Sequence, residues 1–307
     1  MKKRYRECFR YFQIPSYNAL PFGRRNSVKA SAEWLAASGA EFSAGLGHHG
    51  YAQLRNYSAE YREWGDGPPL VLVPGLAGGF ELLGPVARVL AQHYRVISYQ
   101  LRGENDCFAL RSRFELQDLV TDLDEFLHWR CLESPVICGV SFGGIIALEF
   151  AARFPHRLNA LVVQGAGARF EGGLLQRVAG WVLKGYPLPA DNPFVNQFFN
   201  LLFGGRHRPD PLFNFVTRQC WQTDQSVMAH RFRLVERYDM EDRLAQICVP
   251  TLVLAGDRDL LVSERSLNDL CNGIAATRKV RLTGCGHLAF VTQPEIVARE
   301  VGQFLAN

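Results

Sequence analysis

The sequence lacks any uncharged apolar run approaching the roughly 20 residues needed to cross a bilayer, so no membrane-spanning helix is expected. It lacks a strong charge of either sign: Lys and Arg number 34 against 30 Asp and Glu, a net +4. The body of the chain carries no array of Lys/Arg interleaved with aromatics, and nucleic acid is therefore not an expected partner. Metal-ligand spacing is also missing. The eight cysteines (Cys8, Cys107, Cys131, Cys138, Cys220, Cys248, Cys271, Cys285) form no C-x-x-C pair, which argues against a zinc knuckle or a dense disulfide framework and for reduced thiols in a cytoplasmic setting. His48 and His49 are adjacent, a spacing that points two ligands in different directions, and His93, His128, His156, His207 and His230 stand alone.

The first fifty residues are also poor in acids and lack an apolar secretory core: Glu7 is the only acidic residue before Glu33. Lys2, Lys3, Arg4, Arg6 and Arg10 alternate with Tyr5, Phe9 and Phe12. The segment 1–50 reads as a basic N-terminal extension, either a tail draped on the body, a transit peptide, or an arm making weak contact with anionic membrane. Within it, residues 26–42 carry a helical pattern with Asn26 or Ser27 as cap.

What is abundant is apolar material. With 307 residues, 48% of them hydrophobic and 12% aromatic, the chain can bury a large core. From residue 51 the pattern becomes regular: two strands of a hairpin-like start, a Gly-Asp-Gly-Pro-Pro turn, and a buried strand Leu70–Val73. Then follow a helix over 82–92, a strand over 94–99, a helix over 116–129, a strand entering residue 139 with a helix after it, and a strand over 160–163. Strands alternating with helices predict an α/β fold with a doubly wound, mostly parallel sheet, whose chemistry belongs at the carboxyl ends of the strands.

One such end reads Gly139-Val140-Ser141-Phe142-Gly143. A strand that reverses into a helix around one residue brings its own backbone so close that Cβ atoms two positions before and after would collide, and glycine removes them. Ser141 at the apex then projects its hydroxyl at a helix N-terminus, a position that suits a nucleophile. A serine needs a base, and the base an orienting acid. Two further strands supply candidates: Thr251–Ala255 opens into Asp257 and Asp259, and Lys279–Leu282 opens into His287. The chain order is Ser, Asp, His, with either aspartate as the acid.

The stretches VLVPGLAGG, YQLRG, GVSFGG, AGDRD and GCGHLAFVTQPEIV together resemble the α/β-hydrolase family over residues 51–307. The resemblance implies Ser141 as nucleophile, His287 as base and Asp259 as acid, with Asp257 the competing choice. It also implies an oxyanion hole from the amides of Leu76 and Phe142, and no metal or organic cofactor. Two departures stand out: Pro74-Gly75 replaces His-Gly, and YQLRGENDC replaces Asp-x-Arg-Gly-His-Gly.

Residues 169–243 differ in texture from the flanking core segments 51–168 and 244–307. Several Pro- and Gly-separated helices rich in aromatics, among them Trp181, Phe194, Phe198, Phe199, Phe203 and Trp221, read as an inserted helical cap. Some of these rings are expected to line an apolar pocket above Ser141. The expected activity is hydrolysis of a small or medium apolar carboxylic ester through an acyl-enzyme. The same triad serves thioesterases, lactonases and carbon–carbon bond hydrolases, the last disfavoured by Leu288 where an aromatic is usual. Outside catalysis, a small-molecule receptor with slow turnover is the remaining class.

Overall fold

The computed structural model describes residues 47–104, 112–185, 193–205 and 210–306; most of the basic extension, including the helix expected over 26–42, lies outside them. Among the described residues one sheet holds eight strands. They are β1 (His48–Gln53), β2 (Ser58–Trp64), β3 (Pro69–Val73), β4 (Arg95–Tyr99), β5 (Val136–Val140), β6 (Ala160–Gln164), β7 (Thr251–Gly256) and β8 (Thr277–Leu282). Their order is β1-β2-β4-β3-β5-β6-β7-β8. The β1–β2 and β2–β4 pairs are antiparallel, and every pair from β3–β4 to β7–β8 is parallel. The fold is the expected α/β class.

Helices cover both faces, which is why the central strands are apolar along their whole length instead of alternating. Leu70, Leu72, Val162 and Leu252 pack with Leu83, Val86 and Leu90 of α1 (Gly79–Leu90). On the opposite face Val71, Ile97, Leu161 and Val253 pack with Phe126 of α2 (Leu116–Trp129) and Ile146 and Phe150 of α3 (Phe142–Arg153). Each such fully buried side chain contributes about 1.5–3 kcal/mol relative to exposure. Cys138, within β5, is buried as expected, and burial pushes its thiol up to about 12, which keeps it out of thiolate chemistry.

Between β6 and β7 stand α4 (Leu174–Gly185), α5 (Pro193–Leu202), α6 (Asp210–Cys220) and α7 (Gln225–Glu236), then a 3₁₀ turn over Glu241–Gln246. The chain ends with α8 (Glu264–Gly273), α9 (Ala289–Thr292) and α10 (Pro294–Leu305).

Two boundaries differ from expectation. The first strand starts at His48, three residues before the pattern becomes regular and two before the expected end of the extension; its side chains at 48, 49, 51 and 53 are exposed, and an outer strand facing water carries no apolar alternation. Helix α1 starts at Gly79, not Leu82, because Gly78 and Gly79 take φ of 82° and 50° and turn the chain tightly, so that Leu82 N already bonds Gly78 O at 3.1 Å.

Candidate active site

Ser141 follows β5 at the apex of the predicted turn with φ 54° and ψ −117°, a backbone state costly for a residue with a Cβ. Gly139 is needed for the reason the sequence suggested, a collision with the turn's own backbone, whereas at Gly143 the obstacle is the end of the neighbouring strand β3. A Cβ on Gly139 would lie 2.4 Å from Gly143 O, and one on Gly143 would lie 2.1 Å from Val73 O and 2.4 Å from Pro74 O. All three obstacles are backbone atoms, so a substituent must move β3 or the helix start. Gly143→Ala is accordingly expected to cost about 2–3 kcal/mol, the upper range for overpacking. Urea unfolding of the variant measures it; a loss below 1 kcal/mol would mean the turn relaxes freely.

His287 and Asp259 converge on Ser141 from the ends of two neighbouring parallel strands. The imidazole Nε2 is 2.8 Å from Ser141 Oγ, and its Nδ1 is 2.8 Å from Asp259 Oδ2. The ring is buried, and Gly165 at φ 70° makes room for it: a Cβ there would lie 3.0 Å from His287 Cε1. Gln164, one residue earlier on β6, donates from Nε2 to His287 O at 3.0 Å and fixes the loop that carries the ring.

The two aspartates separate cleanly. Asp259 Oδ1 accepts from Leu261 N at 2.8 Å and Val262 N at 3.3 Å, which leaves Oδ2 for His287. Burial works against its charge, but the adjacent imidazole and these amides prevail and hold the carboxyl below its usual range. Asp257 is exposed and accepts from Gly284 N at 2.8 Å, closing a turn. The competing assignment therefore places no carboxylate on the imidazole.

Leu76, Ser141 and Phe142 all border a cavity of about 250 Å³. Its walls come from the β3–α1 loop, from α3, and from helices α4 to α7, with Phe198, Phe199, Trp221, Met228, Phe232 and Leu288 among the apolar lining. Besides Ser141 and His287, the polar lining includes Gln176, Ser263 and the charged pair Arg169 and Glu171, and the Arg169 guanidinium is shared among Glu171, Glu241 and Asp269. Of the aromatics singled out from sequence, Phe198, Phe199 and Trp221 face the cavity, Phe203 is buried elsewhere, and Trp181 is 65% exposed. The side chain of Phe194 lies outside the described residues.

Sequence reasoning missed a buried ion pair beside the site, Arg231 of α7 with Glu104 after β4. Its one visible signal is that Glu104 falls in YQLRGENDC, the stretch that departs from the family pattern. Among the described residues no group of three His, Cys, Asp or Glu is arranged to hold a metal ion.

Comparison with known proteins finds relatives that span most of the chain. A pimeloyl-[acyl-carrier protein] methyl ester esterase of Aeromonas salmonicida is 25% identical over 259 residues, covering 81% of this chain and 99% of the relative. The 3-oxoadipate enol-lactonase 1 of Acinetobacter baylyi is 23% identical, covering 74% of this chain and 85% of the relative. The crystal structure of the enol-lactonase from Burkholderia xenovorans LB400 superposes with a TM-score of 0.75 at 21% identity, over 84% of this chain and all of that one. The pattern of the alpha/beta hydrolase fold family matches residues 68–294, a span that contains the serine turn, both strand-end loops and the intervening helices. On that match, the chain belongs to the α/β-hydrolase family.

Proposed function

We propose that the protein is a serine hydrolase that cleaves a small or medium apolar carboxylic ester through an acyl-enzyme. The observation that carries this reading is the continuous hydrogen-bond line Asp259–His287–Ser141 opening into a mostly apolar cavity. His287 Nε2 takes the proton of Ser141 as Oγ attacks the ester carbon. The carbonyl oxygen, now an anion, rests against the amides of Leu76 and Phe142, each such donor contributing on the order of 100-fold or more. Collapse expels the alcohol, which receives the proton from His287. Water, deprotonated by the same ring, then releases the acid and restores Ser141. Asp259 keeps the imidazole in the required tautomer and stabilises it when charged.

The size and character of the cavity support the substrate class. At about 250 Å³ it falls just below the usual span for small-molecule sites, which favours a compact acyl group. Its paired Arg169 and Glu171 present no dedicated anion or cation site, which favours a neutral one. Helices α4 to α7 act on this reading as the cap, within residues 169–243, that excludes water from the acyl chain.

A panel of p-nitrophenyl esters of increasing acyl length, beside matched thioesters, lactones and a vinylogous carbon–carbon substrate, tests the proposal. The expected result is saturable turnover with kcat/KM highest for short to medium acyl esters. Faster turnover of another bond class would reassign the substrate. Binding of apolar esters without turnover would favour a receptor.

A further inference from the structure

We propose that Arg231 is a positioning residue that aims the Leu76 amide at the developing oxyanion, by holding the β3–α1 loop from helix α7. The inference rests on the ester-hydrolase reading above. Arg231 is completely buried. Its Nη1 donates to Leu76 O at 3.0 Å and to Glu104 Oε1 at 2.6 Å, and its Nη2 donates to Arg102 O at 2.9 Å. The carbonyl and the amide of Leu76 belong to peptide units that share one Cα. Pinning the carbonyl therefore holds the peptide plane on one side of that Cα and narrows the directions open to the N–H on the other.

The rest of the loop is held in matching fashion. Upstream, Val73 and Pro74 lie against Gly143, where no Cβ would fit. Downstream, Gly78 N donates to the buried Thr223 Oγ1 at 3.1 Å. Arg231 closes the middle, and Glu104 in turn is fixed by accepting from Leu101 N at 3.2 Å through Oε2.

Stability alone accounts poorly for this pair. Taking a guanidinium and a carboxylate out of water costs about as much as their attraction returns, and apolar residues of similar volume often do as well. Arg231 Nε is moreover buried without a partner, a further cost. What the charge supplies that an apolar residue would not is a set of donors for two loop carbonyls. Met228, Phe232 and Val235 of the same helix line the cavity, so α7 touches the acyl chain with one face and the loop with another.

The test compares three variants in the full-length protein: Glu104→Gln, which keeps Arg231 and its bond to Leu76 O; Arg231→Lys, which keeps the charge but offers one ammonium in place of the fork; and Arg231→Met combined with Glu104→Gln, which removes the charged pair. Each is read by kcat and KM on the preferred ester and by affinity for a trifluoromethyl ketone, whose adduct with serine places an oxyanion in the hole.

The double variant should lose kcat on the order of 100-fold, the cost of misplacing a catalytic group by about 1 Å, with parallel loss of ketone affinity. Its KM should stay within about threefold, because the acyl wall is unchanged. Arg231→Lys should fall between it and Glu104→Gln, which should keep kcat within about threefold. A double variant that keeps both kcat and ketone affinity overturns the proposal. So does a loss confined to KM. If the double variant does not fold, a kcat for Arg231→Lys equal to or above that of Glu104→Gln overturns it instead. Fluorophosphonate labelling of wild-type Ser141 separates the two levels: absence of labelling removes the ester-hydrolase reading itself, whereas labelling with unaffected Arg231 variants removes only this role.

Discussion

Replacing Ser141 by alanine is expected to abolish ester turnover, with kcat falling by roughly 10⁶-fold, and His287→Ala should cost about as much because the members of such a unit act together. The alanine variant should keep its fold. Among the described residues Ser141 Oγ bonds only to His287, and removing a hydroxyl from the apex of a turn leaves Gly139, Gly143 and the backbone bond from Ser141 N to Gln164 O untouched. A fluorophosphonate probe should label the wild type once, at residue 141, and leave the variant unlabelled. Labelling that survives in Ser141→Ala, with a cooperative unfolding transition like that of the wild type, would place the reactive hydroxyl elsewhere.

The second large effect concerns the acid. Asn at 259 can still accept from the amides of Leu261 and Val262 through its oxygen, so the turn after β7 should persist. Its NH₂ would then face His287 Nδ1, which must become an acceptor and carry its proton on Nε2, pointing at Ser141. That is the wrong tautomer for a base, and turnover should drop on the order of 10⁴-fold. Asp257→Asn keeps the oxygen that accepts from Gly284 N in an exposed turn and should change turnover by less than about twofold. Steady-state kinetics on both variants decide between the two aspartates; a reversal of the effects would transfer the role to Asp257.

Much of the fold was legible because its signals are local. The central strands are short apolar runs bounded by Gly, Pro or charge, and β3, β5, β6, β7 and α2 fall within one to three residues of where sequence puts them. The serine turn was legible because its steric demand is written as two glycines. The acid–base partners were legible because each follows a strand directly. Three helices escaped notice, α8, α9 and α10, although α8 and α10 carry readable starts: Ser263 accepts from Ser266 N at 3.0 Å as an N-cap, and Pro294 opens α10.

The Arg231–Glu104 pair was not legible for a different reason. Its members are 127 positions apart, and nothing in a helix reading Gln225–Glu236 marks Arg231, and not Arg233, as the buried arginine. Long-range pairing of charges depends on how α7 is laid over the β4 end, which local pattern does not encode. The same holds for Trp181: its aromatic character suggested a wall, but its position on α4 turns it to the surface.

One contact has a bearing on how such enzymes are redesigned. The end of α5 abuts the histidine loop main chain to main chain: a Cβ on Gly286 would lie 2.5 Å from Gly204 N and 2.6 Å from Leu202 O, and Leu288 N reaches that same carbonyl at 3.4 Å. Exchange of the helical insert between relatives is an attractive route to new selectivity, since it carries much of the cavity wall. Here the graft would also replace the surface against which His287 is registered. A transplant whose α5 ends one residue early or late would shift the general base before it altered the substrate. Chimeras that preserve the backbone trace over 202–204 should stay active, whereas those joined within it should be inactive whatever their pocket admits.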